Sequence, residues 1–144
     1  MRLALAFALI STSATAWEAS QVGPLCLLTH ETETGAVRVS HDPRNALPYA
    51  IQLRRLNDTW DGAPVFSIRF EGPGQLTIST DRHRLANNNS EVIAADTGFG
   101  NVLLGLEANH TATAFLGDQH LAFPLAGAAP EVAKFRACAE RPSV

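Results

Sequence analysis

Short runs in which apolar and polar residues alternate recur along most of this chain, and turn-forming residues separate them. Alternation with a period of two places every second side chain on the same face of a β-strand. The segment V-F-S-I-R-F, residues 65–70, is typical: Phe66, Ile68 and Phe70 share one face, and the polar residues share the other. The pattern predicts antiparallel strands with one buried face and one face in water.

These runs predict about seven or eight strands. The predicted strands cover residues 25–30, 36–40, 48–56, 65–70, 75–80, 92–93, 110–116 and 120–125. Two other segments repeat apolar residues every three or four positions, which predicts short helices over residues 98–108 and from Pro130 onward. The predicted fold class is therefore α+β, a mostly antiparallel, twisted sheet with the two helices covering part of one face.

The chain contains two cysteines, Cys26 in the first predicted strand and Cys138 in the last predicted helix. In an oxidising compartment such a pair normally forms a disulfide, and two cysteines allow only one connectivity. Neither cysteine lies in a C-x-x-C motif or beside an activating group, so a redox or nucleophilic thiol is not indicated. We predict a structural disulfide that ties the N-terminal and C-terminal elements together.

Residues 1–16 have the pattern of a secretory signal peptide. Arg2 precedes an apolar stretch that ends in small residues and an A-x-A pattern at residues 14–16. A membrane-spanning helix needs about 20 apolar residues, and this stretch is shorter and contains serine and threonine. We expect cleavage before Trp17. Residues 17–144 then form one secreted domain without a transmembrane segment, located in the periplasm or outside the cell.

Charge and motifs argue against several classes of function. The formal net charge is −3, and nothing in this balance indicates a nucleic-acid partner. The sequence has no G-x-S-x-G motif for a serine hydrolase and no G-x-x-x-x-G-K-[ST] motif for nucleotide hydrolysis. We therefore expect a protein that uses no cofactor.

The segment A-A-D-T-G-F-G-N, residues 94–101, contains the D-T-G triplet of aspartic proteases. Those enzymes use two carboxylates that share one proton, so a chain with one triplet would have to form a homodimer. Each protomer would also need a flap hairpin and then an apolar pair followed by glycine, and neither V-L-L-G nor A-F-L-G leaves room for the flap. The alternative interpretation, which the sequence favours, is that Asp96 and Thr97 cap the predicted helix.

A set of basic residues offers a second candidate site, a surface for an anion or a partner. The set comprises Arg54, Arg69, Arg82, His83 and Arg84. Neighbouring strands would gather these side chains around a carboxylate or phosphate, whereas an ordinary solvated sheet face is the alternative. Asp81 and His83 in one segment and His41 and Asp42 in another form a weak zinc pattern, and we predict no metal site because no second clustered pair accompanies them.

Residues 102–138 combine a predicted short helix, two strands, the motif F-P-L-A-G and a last helix. This pattern resembles the C-terminal part of the invasion-associated locus B-like exported proteins of Gram-negative bacteria, which implies a role in envelope stress or virulence. The whole chain, especially L-T-I-S-T-D-R-H-R-L and D-T-G-F-G-N-V-L, resembles small uncharacterised secreted proteins of such bacteria. Some of these carry the name of an excinuclease, an ATP-driven DNA-repair protein, which disagrees with the signal peptide and the missing P-loop.

Export, a single disulfide and the lack of a catalytic constellation lead to one main hypothesis. The protein is a non-catalytic accessory protein that binds another envelope protein or a small ligand. The first alternative is a small periplasmic hydrolase that acts on peptide or cell-wall material with Asp96 as its acid. The second alternative is a small-anion-binding protein that uses the arginines.

Overall fold

The computed structural model describes residues 16–141, so the predicted signal peptide lies outside the described residues except for Ala16. The described chain folds into ten strands and two helices, which confirms the α+β class. In chain order they are β1 (Glu18–Val22), β2 (Leu25–Glu31), β3 (Gly35–His41), β4 (Tyr49–Arg55), β5 (Phe66–Glu71), β6 (Leu76–Thr80), β7 (His83–Ala86), β8 (Glu91–Asp96), α1 (Gly100–Ala108), β9 (Thr111–Leu116), β10 (Gln119–Pro124) and α2 (Ala128–Ala139).

The strands form two antiparallel sheets, whereas the sequence predicted one. The large sheet has the order β1-β2-β3-β4-β8-β7, and the small sheet has the order β10-β9-β5-β6. The chain crosses from the small sheet to the large one between β6 and β7, over residues 81 and 82. Alternation does not reveal this division, because a period of two indicates which face of a strand is buried and not which strands pair.

The sequence prediction also missed two strands, β1 and β7. Both lie at an edge of the large sheet, and neither carries an alternating stripe of buried apolar residues. β1 is held partly by α2, because the backbone amide of Ala19 donates to the Glu131 carboxylate at 2.9 Å. This bond, together with one from Lys134, holds the pKa of Glu131 below its ordinary value, so the carboxylate stays charged at neutral pH.

The facing sides of the two sheets share one buried core. Val39, Ile51 and Leu53 of the large sheet belong to the same cluster as Ile68 and Phe70 of the small sheet. Because the buried and exposed positions alternate along these strands, the predicted inward residues are the ones that reach the core.

Both helices add apolar side chains to this core. Helix α1 buries Val102, Leu103 and Leu106, and it approaches the small sheet closely because Gly105 has no side chain. A Cβ atom at Gly105 would lie 2.6 Å from Cγ of the buried Phe70 ring. Among the described residues no helix has the length and apolarity that a membrane crossing requires.

The predicted disulfide is confirmed. Cys26 on β2 and Cys138 on α2 are bonded, with their Cα atoms 6.0 Å apart. A second tie joins the start of the described chain to the small sheet, since the indole nitrogen of the buried Trp17 donates to the carbonyl of Pro124 at 2.9 Å. These two contacts connect the N-terminal part of the described chain to α2 and to β10.

Candidate functional site

A cavity of about 570 Å³ opens between the two sheets where α1 begins. We call it the cleft. Residues 78–80 of β6, residues 94–96 of β8 and residues 98–102 at the start of α1 form its walls, and β4 and β5 contribute to its floor. Its volume lies within the range of about 300 to 1,000 Å³ that is usual for small-molecule sites.

The floor of the cleft is apolar. Ile51 of the large sheet, Phe66 and Ile68 of the small sheet, and Phe99 before α1 line it, and all four are buried. The Tyr49 ring stacks against the Phe99 ring, with ring centres 5.5 Å apart. Burial, and secondarily a nearby carboxylate, raises the pKa of Tyr49 above its ordinary value, so its phenol stays neutral at neutral pH.

The cleft stays open because the residues around it are small. Ala94 on β8 lies directly opposite Ile51 in the strand register, so a methyl group occupies an inward position where larger side chains would fill the space. Gly98 and Gly100 add no side chain, and a Cβ atom at either would have no neighbour within 4 Å. The alanines and glycines on either side of Phe99, at positions 94, 95, 98 and 100, are the sequence signal for this cavity, and no motif describes them.

Asp96 lies at the rim and is the one ionisable residue among the described residues that line the cleft. One carboxylate oxygen accepts hydrogen bonds from the amide and the hydroxyl of Thr97, at 2.7 and 3.3 Å. The other lies 3.9 Å from the guanidinium of Arg82, and both side chains are largely exposed. An exposed ion pair of this kind contributes little stability.

Asp96 and Thr97 do not cap α1, which corrects the sequence interpretation. The helix begins at Gly100, its N-cap position is Phe99, and no side chain there accepts from the first helical amides. Asp96 is instead the last residue of β8. The burial of Phe99 explains the shift, because the chain must first place this ring in the core before it can turn into the helix.

The predicted basic residues do not share one surface. Arg54 and Arg84 lie on the outer face of the large sheet, where Arg54 stands opposite Glu91. Arg69 belongs to the small sheet, pairs with Glu71 at 2.7 Å and lies over the ring of Phe115. Arg69 points to the outer face of the small sheet, so it does not share a surface with Arg54 and Arg84.

The remaining two basic residues lie near the junction of the sheets. Arg82 is in the connection between β6 and β7, beside Asp96. The His83 ring turns inward, where its Nε2 atom is 2.8 Å from the carbonyl of Ala63 and its ring lies against Phe66. Within residues 16–141, no three His, Cys, Asp or Glu side chains gather in a way that would hold a metal ion.

No family model matches this chain. Comparison with curated proteins and with solved structures likewise finds no significant match. The resemblances noted in the sequence therefore remain predictions, and the cleft has to be interpreted from its own chemistry.

Asp96→Ala is expected to change the free energy of unfolding by less than about 0.5 kcal/mol, because the side chain is about half-exposed, accepts hydrogen bonds only from Thr97 and forms only an exposed ion pair with Arg82. Loss of a true helix cap would cost about 0.5 to 2 kcal/mol. Urea unfolding of the protein and of Asp96→Ala measures the difference, and Asp96→Asn is the control that keeps an acceptor oxygen. A loss above about 1 kcal/mol in the alanine variant alone would show that the side chain has a structural role that these contacts do not explain.

Proposed function

We propose that this protein is a non-catalytic accessory protein of the cell envelope and that it binds its partner or ligand in the cleft. The carrying observation is the combination of an apolar floor, built from both sheets, with a rim that has a single charge. Sites that bind organic groups have this composition, in which apolar surface supplies affinity and a few polar groups fix orientation. The disulfide and the signal-peptide pattern support a location in the periplasm or outside the cell.

The rim favours binding over hydrolysis. General acid–base chemistry on peptide or glycan bonds uses two titratable groups, or a nucleophile beside a base. Ser67, Ser79 and Thr80 are among the residues that line the cleft, but no histidine or second carboxylate lines it within the described chain. Asp96 therefore has no catalytic partner at hand in the cleft.

The same chemistry defines what the cleft accepts. The ligand has an apolar part that covers Ile51, Phe66 and Ile68, and a polar end near the paired charges of Asp96 and Arg82. The Asp96 carboxylate lies 3.9 Å from the Arg82 guanidinium, so the two opposite charges largely offset each other at this rim. The dispersal of Arg54 and Arg69 over different sheets gives the small-anion hypothesis no common site.

The test combines crosslinking in intact cells with a variant that fills the cleft. Ala94→Leu adds three carbon atoms at the inward position opposite Ile51, so we expect it to reduce recovery of the crosslinked partner at least about tenfold while the protein keeps its stability. Ala122→Leu makes the same change at an exposed position on β10 and serves as the matched control. Mass spectrometry of the copurified material measures recovery, and thermal unfolding checks that both variants are folded.

One result would contradict the proposal, and another would restrict it to a small ligand. Equal recovery of the partner with wild type, Ala94→Leu and Ala122→Leu would show that the binding site lies outside the cleft. Recovery of the protein alone from every sample would argue against a stable macromolecular partner and would turn attention to a small ligand.

A further inference from the structure

Each sheet ends in two edge strands, and three of these four edges are protected. The edge of β1 is covered by α2, whose Glu131 accepts from the backbone of Ala19. β10 contains Pro124 and binds a loop through its Gln119 side chain, which contacts the backbone at 59 and 61. β7 is only four residues long and carries Arg84. Short length, charge, proline and a covering helix are the usual means by which edges avoid pairing with another chain.

The fourth edge strand, β6, is the least protected of the four. Its sequence L-T-I-S-T contains no charge and no proline, and its register with β5 runs from Leu76 to Thr80 without a bulge. Within residues 16–141 no strand pairs with its other side. Helix α1 contacts β6 and meets the chain just before the strand, where the amide of Gly74 donates to the carbonyl of Ala108. Within the described chain, no loop or helix forms a backbone hydrogen bond with residues 76–80 themselves.

The apolar side chains next to this edge are incompletely covered. Ile78 points to the core side of the small sheet but is only half-buried, although its register partner Ile68 on β5 is buried. On α1, Leu104 is 49% exposed. Helical spacing places Leu104 on the same face as Asn101, which lines the cleft opposite β6, and Ala108, which contacts Gly74. Two incompletely covered apolar side chains, Ile78 and Leu104, therefore lie near the β6 edge.

The β6 sequence is complementary to itself. If two copies pair antiparallel about Ile78, that residue faces Ile78 of the partner subunit. Thr77 then faces Ser79 of the partner subunit, and Leu76 faces Thr80 of the partner subunit. The arrangement matches apolar with apolar and hydroxyl with hydroxyl at the central positions, which are favourable cross-strand pairs. No charge opposes its own copy across the two-fold axis, where like residues meet.

We propose that β6 pairs with β6 of a second copy of this chain, so that the two small sheets join into one continuous antiparallel sheet across a two-fold axis. The partner's Ile78 then extends the apolar floor of the cleft on its β6 side. Each copy also covers part of the exposed surface around Leu104 of the other copy. An unrelated peptide is the other occupant that such an edge takes. A second copy is favoured because β6 is complementary to its own sequence and carries no charged side chain that would recognise a different sequence.

This inference is independent of the proposed function, because strand pairing requires no ligand. Sedimentation equilibrium of the full exported chain over a wide range of concentrations measures it. We expect a reversible dimer, and we expect Ile78→Lys to weaken dimerisation at least about tenfold by placing two like charges opposite each other. Ser20→Lys is the matched control, since Ser20 is the central residue of the five-residue edge strand β1, and this variant is expected to dimerise normally.

A second variant keeps the test decisive if Ile78→Lys fails to fold. Ile78→Cys places two thiols opposite each other across the axis, within the distance that a disulfide spans, and is expected to give a covalent dimer on mild oxidation. Ser20→Cys is expected to remain a monomer on a denaturing gel. A wild-type monomer at every concentration overturns the proposal, as does a dimer that Ile78→Cys does not trap. If Ile78→Cys forms a disulfide with another protein in cells and the purified protein is a monomer, the proposal is overturned, and β6 pairs with a strand of a different protein.

Discussion

Replacing both cysteines, as Cys26→Ala with Cys138→Ala, is expected to lower the free energy of unfolding by about 4 to 5 kcal/mol. The bonded residues are separated by 112 positions, so the disulfide restricts the unfolded chain over most of the described sequence. A loop of that length gives an entropic stabilisation near the upper end of the usual range, before any native strain is subtracted. Small domains retain only about 5 to 15 kcal/mol in total, so this loss is a large part of the stability.

Guanidinium unfolding of the wild type and the double variant measures this loss. Wild-type protein unfolded in the presence of a thiol reductant is the control, because it lacks the same bond without any change of sequence. Its midpoint is expected to fall close to that of the double variant. A loss below about 1 kcal/mol in both would mean that the unfolded chain is already compact enough for the bond to add little constraint.

Trp60→Ala is expected to lower the free energy of unfolding by about 3 to 5 kcal/mol, the range for removing a large aromatic side chain from a core. Trp60 is 1% exposed and is the largest of the fully buried side chains in the described chain. Its indole nitrogen donates to the carbonyl of Leu53 at 3.1 Å, and its backbone amide donates to the carbonyl of Asn89 at 2.7 Å. The guanidinium of Arg55 lies over its ring.

Trp60→Phe separates the volume of the side chain from its hydrogen bond. The phenyl ring keeps most of the packing but leaves the Leu53 carbonyl without the indole donor, so we expect a loss of about 1 to 3 kcal/mol. Urea unfolding followed by far-ultraviolet circular dichroism measures both variants without relying on tryptophan fluorescence. If Trp60→Ala costs no more than Trp60→Phe, the residue does not anchor the core as its burial indicates.

The strands that the sequence predicted are those with one buried face. β5 is an example, since Phe66, Ile68 and Phe70 are all buried and the residues between them are not. The alternation is visible in such strands because each inward side chain loses water and each outward one keeps it. β1 and β7 give no such signal, because edge strands gain their stability from backbone pairing and from neighbouring elements.

The candidate sites were harder to predict because they depend on which elements lie next to one another in the fold. Asp96 was placed correctly before a helix, but Phe99 is buried and sets the start of α1 beyond the reach of Asp96, which removes the cap. Whether Arg54 and Arg69 face one anion depends on which strands are neighbours, and alternation does not encode that. The cleft depends on the absence of side-chain volume around Ala94, which no motif describes.

The sequence by itself determined the strands with one buried face, the two helices with apolar stripes, and a disulfide with only one connectivity. Each of these follows from local period or from counting, so no knowledge of distant contacts is required. Only the tertiary structure decided that the strands divide into two sheets, that Trp60 in the connection between β4 and β5 is buried in the core, and that the cleft opens between β6 and β8. These outcomes depend on contacts between residues far apart in the chain, where packing and backbone pairing outweigh local preference.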